Sequence, residues 1–225
     1  MIVIYRMCDI PSTNAPPFEQ DKLKLNTACL RSFVGAFIDV RPFVYFLCDH
    51  CPGNYKEMID SSCPFKKKIV FSQSGINATM LASYAIAADH DDYVLFQECD
   101  YLYRPRTGDL FLESLSRFSI VSPYDHLNFY IDRNIHSRNC DVDLVGDHHF
   151  RTVERNTMTW GTHTNLVKEN MDILNKYGYL DDKVWGDLLI AGHRLWTPIP
   201  SIATHMVKDY LSPGINWERI YGYYA

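Results

Sequence analysis

The sequence lacks long hydrophobic runs and long basic runs. No apolar stretch approaches the roughly 20 residues of a membrane-spanning helix, and the first residues lack the charged segment and cleavage site of a signal peptide. The longest basic run, Lys66–Lys68, is too short to indicate a nucleic-acid footprint, and the net charge is -5. We therefore expect a soluble, cytoplasmic protein that binds small molecules, glycans or proteins and not nucleic acid.

The sequence also lacks a disulfide framework and a complete zinc motif. Its seven cysteines are an odd number, scattered through predicted strands and helices. Cys48 and Cys51 have the C-x2-C spacing of a zinc site, and Cys63 follows, but no second pair supplies a full set of four ligands. We interpret the cysteines as reduced thiols.

What the first hundred residues do contain is an alternation of strand and helix patterns. Short apolar runs at 2–5, 44–47, 68–71 and 93–96 predict strands, and helical spacing over 23–37, 55–59 and 78–88 predicts the helices between them. This alternation predicts an α/β fold with a central, mostly parallel twisted sheet flanked by helices. A length of 225 residues with 47% hydrophobic content fits one domain with two functional halves.

The fourth predicted strand ends in two carboxylates, Glu98 and Asp100, with Cys99 between them. Alternate residues of an extended chain point the same way, so both carboxylates can project from the carboxyl edge of the sheet, where open α/β sheets bind ligands. Hard oxygen ligands suit Mg²⁺ or Mn²⁺, and these ions suit a diphosphate. The alternative is that both are solvated charges where a strand meets a loop.

Two other predicted strands also end in acidic residues. Arg6, Cys8 and Asp9 follow the first strand, and Asp49 follows the second. Carboxylates at this edge can accept hydrogen bonds from ribose hydroxyls or from a base N–H. Solvation at a strand end explains each aspartate singly, whereas their recurrence at neighbouring strands favours a nucleotide site.

The second half of the chain is less regular. Residues 132–149 lack an apolar period and are rich in Asp and His, which indicates a polar loop over the site, with a metal site as the alternative. Residues 150–154 and 157–160 alternate as a strand pair. After Trp160, Gly161 would allow a ligand to approach the backbone closely.

An acidic pair and a histidine complete the candidate residues. Asp181 and Asp182 stand where a helix is predicted to start, so they are helix-capping residues or, if one faces a cleft, a general base. His205 ends a short predicted strand at 201–205. A lone histidine is more often structural than a ligand, but its position after the acidic pair makes His205 a candidate.

In this order the motifs resemble the GT-A glycosyltransferases. Their shared features are a nucleotide-binding first half, a D-x-D-like metal motif after a central strand, a later acidic pair and a C-terminal histidine. The segment 181–186 resembles the acidic-acidic-x-x-x-Gly element of Fringe-type inverting transferases, in which the second acidic residue is the base. The compact form resembles small glycosyltransferase domains of large algal viruses (chloroviruses) that glycosylate the major capsid protein, or bacterial surface-glycan enzymes.

The resemblance implies a single GT-A domain over 1–225, with a nucleotide-sugar-binding half (1–105) and an acceptor and catalytic half (106–225). It implies that Asp182, with Asp181 beside it, is the base and that Asp100 binds Mn²⁺ or Mg²⁺ directly. Glu98, which replaces the usual Asp, contacts the metal or a ribose, and His205 is a third ligand. The donor-binding candidates are Arg6, Cys8, Asp9, Asp49, Asn77, Glu98, Cys99, Asp100, Trp160 and Gly161.

The implied activity is metal-dependent transfer of a hexose or deoxyhexose from a nucleotide-diphosphate sugar, with UDP-sugars favoured, to a glycan or glycoprotein, with inversion. One alternative is a sugar nucleotidyltransferase, although the first strand is not followed by a Gly-rich phosphate loop. Another is a non-catalytic sugar-nucleotide or glycan-binding module. A fragment of a longer polypeptide is also an open alternative.

Overall fold

A nine-stranded sheet forms the centre of the computed structural model, which describes residues 1–10, 14–131 and 140–225. The strands of this sheet are, in chain order, β1 (Ile2–Cys8), β2 (Phe43–Asp49), β3 (Lys67–Ser72), β4 (Tyr93–Glu98), β6 (Ile120–Val121), β7 (Val142–Val145), β8 (His148–Val153), β9 (Trp160–His163) and β10 (Leu195–Ile199). The remaining strands, β5 (Tyr101–Tyr103) and β11 (Ala203–His205), form a separate two-stranded sheet.

The helices lie between these strands and after them. They are α1 (Lys22–Ala36), α2 (Asn54–Ser62), α3 (Ile76–Ala88), α4 (Gly108–Arg117), α5 (Asn128–Ile131), α6 (Thr164–Glu169), α7 (Met171–Tyr177), α8 (Asp181–Ile190) and α9 (Trp217–Tyr224), with a 3₁₀ turn at Lys208–Tyr210. Within the described ranges, no helix is both long enough and apolar enough to cross a membrane.

The strand order in the large sheet is β3-β2-β1-β4-β9-β6-β10-β8-β7. Strands β1 to β4 pair in parallel, β9 is antiparallel to both β4 and β6, and β10 is parallel to β6. Strand β8 is antiparallel to β10 and β7. Seven of the nine strands therefore point in one direction, because only β8 and β9 are reversed. The predicted mostly parallel α/β fold is confirmed.

Both faces of the sheet are covered, as the continuous apolar runs require. On β1, Val3 and Tyr5 belong to a core that includes Phe33 of α1, whereas Ile4 belongs to the opposite core with Tyr84 of α3. Helices α1, α2 and α4 cover the first face, and α3, α6, α7 and α8 cover the second. The strands are thus held between two helical layers, and the carboxyl ends of the seven strands that point in one direction lie at one edge.

The structure corrects two predictions for the second half. Residues 142–149 are not a polar loop, because β7 and β8 form an antiparallel hairpin turned at Gly146, whose φ is 57°; residues 132–139 of that prediction lie outside the described residues. Among the described residues strand β7 pairs only with β8, and Asp143 interrupts its apolar residues, of which Val142 and Leu144 are exposed, so no continuous apolar run marks it in the sequence. The predicted pair of 150–154 with 157–160 is also wrong, because β8 pairs with β7 and β10.

Candidate active site

The pairing of β5 with β11 brings His205 to Asp100. In this antiparallel pair His205 lies opposite Tyr101, and the amide of Met206 donates to the carbonyl of Asp100 at 2.8 Å. Nε2 of His205 lies 3.4 Å from Oδ2 of Asp100. The imidazole stacks on the ring of Tyr101, with 5.0 Å between centroids. Two residues distant in the sequence are therefore neighbours.

The Asp100–His205 pair is mostly shielded from solvent and electrostatically coupled. Burial raises the pKa of Asp100, but the nearby His205 and the positive charge of Lys22 outweigh burial and hold this pKa below its usual range. Burial lowers the pKa of His205, but the carboxylate of Asp100 outweighs it and raises the pKa overall. The pair thus favours an ionised carboxylate next to a positive group, whether a proton or a cation supplies that charge.

Glu98 does not join this pair. Its Oε1 accepts from the Arg6 guanidinium at 2.9 Å, and its Oε2 accepts from the Thr159 hydroxyl at 3.4 Å. Strand β4 ends at Glu98 and the chain turns at 99–100, which corrects the expectation that both carboxylates project alike from an extended chain. Over the described ranges, no three His, Cys, Asp or Glu side chains group closely enough to hold a metal ion.

The acidic pair of the second half lines a cavity of about 210 Å³. Burial raises the pKa of Asp181, and the negative charge of Asp182 raises it further. The backbone N–H of Asp182, which donates to Asp181 Oδ1 at 2.7 Å, lowers this pKa only in part. Asp182 is more exposed and forms an ion pair with Arg155 at 3.1 Å. The complete lining is His126, Asn128, Phe129, Arg155, Asn156, Thr157, Asp181 and Asp182.

The segment between β8 and β9 connects this cavity to the Asp100–His205 pair. Trp185 of α8 donates to the carbonyl of Asn156, which fixes the helix that begins with the acidic pair. The next residue, Thr157, shares a hydrogen bond with the Tyr101 hydroxyl, and the Tyr101 ring stacks on His205. The pair and the cavity are therefore linked through the side chains of Thr157 and Tyr101.

The end of β1 is held by the two helices that follow it. The Tyr55 hydroxyl donates to Asp9 Oδ1 at 2.5 Å, and the Asn26 amide donates both to that hydroxyl and to the carbonyl of Cys8, each at 3.0 Å. The thiol of Cys99 lies 3.9 Å from the same carbonyl. Since β1 lies between β2 and β4 and is parallel to both, Cys8, Asp9 and Cys99 lie at the carboxyl edge, and their contact with a donor stays a prediction.

Asp49 has a full set of protein partners. Its Oδ1 accepts from the backbone amides of Ser74 and Gly75 at 3.0 and 3.1 Å and from the Ser72 hydroxyl at 3.2 Å, and its Oδ2 contacts His50. Burial raises the pKa of Asp49, but these hydrogen bonds and His50 outweigh burial and lower it. Asp49 thus holds the start of α3.

Asn77, in the first turn of α3, packs against the connection between α7 and α8. A Cβ added to Gly178 would lie 1.9 Å from Oδ1 of Asn77, so only glycine fits there. Gly178 also has a φ of 57°, which favours glycine. Asn77 therefore positions the chain that leads into the acidic pair.

Trp160 and Gly161 lie inside the core, which corrects the expectation that they contact a donor. Trp160 is fully buried, with its ring 4.7 Å from that of Phe96 between centroids. A Cβ on Gly161 would lie 2.8 Å from Phe111 and 3.0 Å from the carbonyl of Val94. The reason is that β9 is inserted between β4 and β6, so the close approach that Gly161 permits is to protein.

No protein-family model matches the chain, and no curated protein is similar enough to count as a relative. Solved structures do match. A nucleotidyl transferase from Methanothermobacter thermautotroptrophicus has a TM-score of 0.54 at 11% identity, covering 100% of this chain and 97% of that one. The galactosyltransferase LgtC, solved with donor and acceptor sugar analogues, has a TM-score of 0.52 at 12% identity, covering 87% of this chain and 73% of its own.

A putative nucleotide-diphospho-sugar transferase from Desulfovibrio desulfuricans is similar at a TM-score of 0.51 and 8% identity, covering 87% of this chain and 78% of that one. At such identities the likeness concerns the fold. The chain therefore has the GT-A fold of nucleotide-diphospho-sugar transferases, which these comparisons show to be close to that of a nucleotidyltransferase.

Proposed function

We propose that the chain is a metal-dependent glycosyltransferase that moves a hexose or deoxyhexose from a nucleotide-diphosphate sugar, with UDP-sugars favoured, to a glycan or glycoprotein. The observation that carries this proposal is the Asp100–His205 pair joined to the cavity of Asp181 and Asp182 through Tyr101 and Thr157. The side chains proposed to hold the metal are thus linked to the acidic pair, and Asp100 follows a strand at the sheet edge where α/β folds bind nucleotides.

Asp100 and His205 would hold Mn²⁺ or Mg²⁺. Ligand atoms about 2.0–2.1 Å from an octahedral ion lie roughly 3 Å from one another, and these ions are held by one or two protein side chains together with waters and substrate phosphates. The separation of 3.4 Å between Oδ2 and Nε2 fits that arrangement. When bound, such an ion supplies Lewis-acid stabilisation of the charge on the leaving nucleoside diphosphate. Glu98, held by Arg6, would contact a ribose or a metal-bound water.

The acidic pair supplies the general base. The base removes the proton of an acceptor hydroxyl as its oxygen bonds to the anomeric carbon and the bond to the nucleoside diphosphate breaks on the opposite face, so the configuration inverts. The resemblance assigns this role to Asp182. The pKa of Asp181 is raised, which makes it the stronger base, and Asp182 forms an ion pair with Arg155. We therefore favour Asp181 as the base. Separate variants of the two residues distinguish these assignments.

The remaining donor-binding candidates fall into two groups, one at the carboxyl edge of the sheet and one that holds the start of α3. Cys8, Asp9 and Cys99 lie together at the carboxyl edge, where they would contact the nucleoside. Asp49 and Asn77 act indirectly, through the start of α3. We place the enzyme in the cytoplasm, and the resemblance to transferases that glycosylate a viral capsid protein adds such a protein to the acceptors worth testing.

The proposal is tested by measuring the release of nucleoside diphosphate from a panel of UDP-, GDP- and dTDP-sugars. Each donor is incubated with Mn²⁺ or with EDTA. Many transferases hydrolyse their donor slowly, so no acceptor has to be known. We expect release from one donor, dependent on Mn²⁺, lost in Asp100→Ala and kept in Asp172→Ala, which changes an exposed aspartate of α7. Release that persists unchanged in EDTA and in Asp100→Ala would contradict it.

A sugar nucleotidyltransferase is the second candidate, favoured by the similarity to a nucleotidyl transferase that covers 100% of this chain and 97% of that one. Such an enzyme joins a nucleoside triphosphate to a sugar phosphate and releases pyrophosphate. The absence of a Gly-rich loop after β1 ranks it second. A non-catalytic binding module would bind the donor in the same panel without releasing nucleoside diphosphate.

A further inference from the structure

His126, on the wall of the cavity, has a defined tautomer. The backbone amide of Asn128 donates to its Nδ1 at 3.0 Å, so Nδ1 carries a lone pair and the ring proton lies on Nε2. Burial, and after it the positive charges of His205 and Arg155, lower the pKa of His126 to about 4, so the ring is neutral near pH 7. His126 therefore offers one N–H donor, at Nε2.

Aromatic neighbours fix the direction of that donor. The His126 ring lies 5.1 Å from the ring of Tyr124, 5.2 Å from that of Tyr210 and 6.0 Å from that of Phe129, between centroids. Among the residues that the structure describes, the imidazole of His126 has one hydrogen bond, which it accepts from the amide of Asn128. A packed ring with one nitrogen occupied leaves Nε2 for a ligand in the cavity that it lines.

The size of the cavity restricts its occupant. Its volume of about 210 Å³ is below the ~300–1,000 Å³ of sites for drug-sized ligands, and it suits one sugar ring better than an extended chain. Phe129 contributes an apolar wall against which the C–H groups of a pyranose can pack. The other lining residues are polar, as the mixed surface of a sugar requires.

The charge of the cavity decides between neutral and acidic sugars. Asp181 and Asp182 carry two negative charges when ionised, Arg155 carries one positive charge, and the neutral ring of His126 adds none. One negative charge remains, and Arg155 is already paired with Asp182 at 3.1 Å. A sugar carboxylate would therefore meet net repulsion.

We propose that this cavity binds an uncharged terminal hexopyranose of the acceptor and that Nε2–H of His126 donates to one of its oxygen atoms. The inference rests on the proposed transferase function, since it assigns the ligand beside the acidic pair. In this arrangement an acceptor hydroxyl faces Asp181 and Asp182, while His126 selects the orientation of the ring. Uronic and sialic acids are excluded by charge.

Matched variants isolate the hydrogen bond of His126. His126→Phe keeps an aromatic ring against Tyr124 and Tyr210 but removes the donor, whereas His126→Gln retains an N–H donor near the position of Nε2. His149→Phe, at an exposed position of β8, is the control. Thermal melting of each variant verifies that it is folded.

The probes are methyl glucopyranoside and methyl galactopyranoside, each paired with the corresponding methyl uronide. Their binding is measured by saturation-transfer NMR and by the acceptor KM with the donor that the panel identifies. We expect binding of a neutral glycoside in preference to its uronide. His126→Phe should raise the acceptor KM roughly 3–10-fold with an unchanged donor KM, and His126→Gln should restore most of the loss.

The two possible failures are distinguishable. This inference would be overturned if the uronide and the neutral glycoside bound equally, or if His126→Phe left the acceptor KM unchanged. Mn²⁺-dependent donor release in the same experiments would still support the transferase function. Absence of donor binding and release in the unmodified protein would overturn the transferase function, and this inference with it.

Discussion

Oδ2 of Asp100 lies 3.4 Å from Nε2 of His205, although neither residue belongs to the large sheet that organises the fold. Their contact depends on the small β5–β11 sheet, in which His205 faces Tyr101. This short pairing between distant segments thus creates the position proposed for the metal ion.

His205→Ala should weaken Mn²⁺ binding by about tenfold or more in the presence of nucleoside diphosphate. Removal of one of two protein ligands leaves the ion on Asp100 alone, and loss even of an outer-sphere partner costs about 10–100-fold. Electron paramagnetic resonance of free Mn²⁺ measures the change. His149→Ala is the control, and equal Mn²⁺ affinity in the two variants would remove His205 from the site.

Replacement of the general base by Asn should lower the transfer rate by about 10²–10⁴-fold without a change in donor affinity. Asp181→Asn and Asp182→Asn are compared by single-turnover kinetics, with donor binding measured by calorimetry. The burial of Asp181 and the ion pair of Asp182 lead us to expect the larger loss for Asp181→Asn. Full rates in both variants would exclude the acidic pair as the base.

Gly161→Ala should destabilise the protein by about 1–3 kcal/mol, because the new Cβ would lie 2.8 Å from Phe111 and 3.0 Å from the Val94 carbonyl. Gly186→Ala is the matched control. Gly186 lies within α8 with no atom within 4 Å of an added Cβ, and the change should stabilise by about 0.4–1 kcal/mol. Urea unfolding measures both, and a neutral Gly161→Ala would contradict the packing.

The buried ion pair of Arg151 and Asp125 predicts a pH-dependent effect. Arg151 donates to Asp125 Oδ1 at 2.6 Å, and burial raises the pKa of Asp125 even though Arg151 lowers it in part. Arg151→Met leaves an unpaired buried carboxylate and should cost about 3–5 kcal/mol at neutral pH. The matched Arg117→Met removes an exposed pair with Asp143 and should cost about 0–1 kcal/mol.

The direction of the pH dependence follows from the raised pKa of Asp125. A carboxyl group with a raised folded-state pKa destabilises the fold above that pKa, and the cost disappears as the pH falls towards the unfolded value of about 3.9. The loss in Arg151→Met should therefore be smaller at pH 5 than at pH 8. A larger loss at pH 5 in urea unfolding would contradict the account.

The sequence predicted the elements that local patterns specify. The strands β1 to β4 and helices α1 to α3 coincide with the apolar runs and helical periods, and α8 begins at Asp181. The acidic residues after β1, β2 and β4 follow from the same pattern, since parallel strands end at one edge. Here local periodicity and tertiary structure agree.

Long-range pairing could not be predicted in the same way. The burial of Trp160 follows from the insertion of β9 between β4 and β6, and the Glu98–Arg6 contact from the parallel register of β1 and β4. His126 and Arg155, which line the cavity, lie outside regular helices and strands and have no periodic signal. Edge strand β7 has no apolar run to reveal it.

Identification of the phosphate product by ³¹P NMR tests the central claim most directly. The protein is incubated with Mn²⁺ and either nucleotide-diphosphate sugars or nucleoside triphosphates with sugar 1-phosphates. We predict nucleoside diphosphate from a nucleotide sugar, with no product in Asp100→Ala. Pyrophosphate from a triphosphate and a sugar 1-phosphate, with intact nucleotide sugars, would contradict the glycosyltransferase function and establish a nucleotidyltransferase.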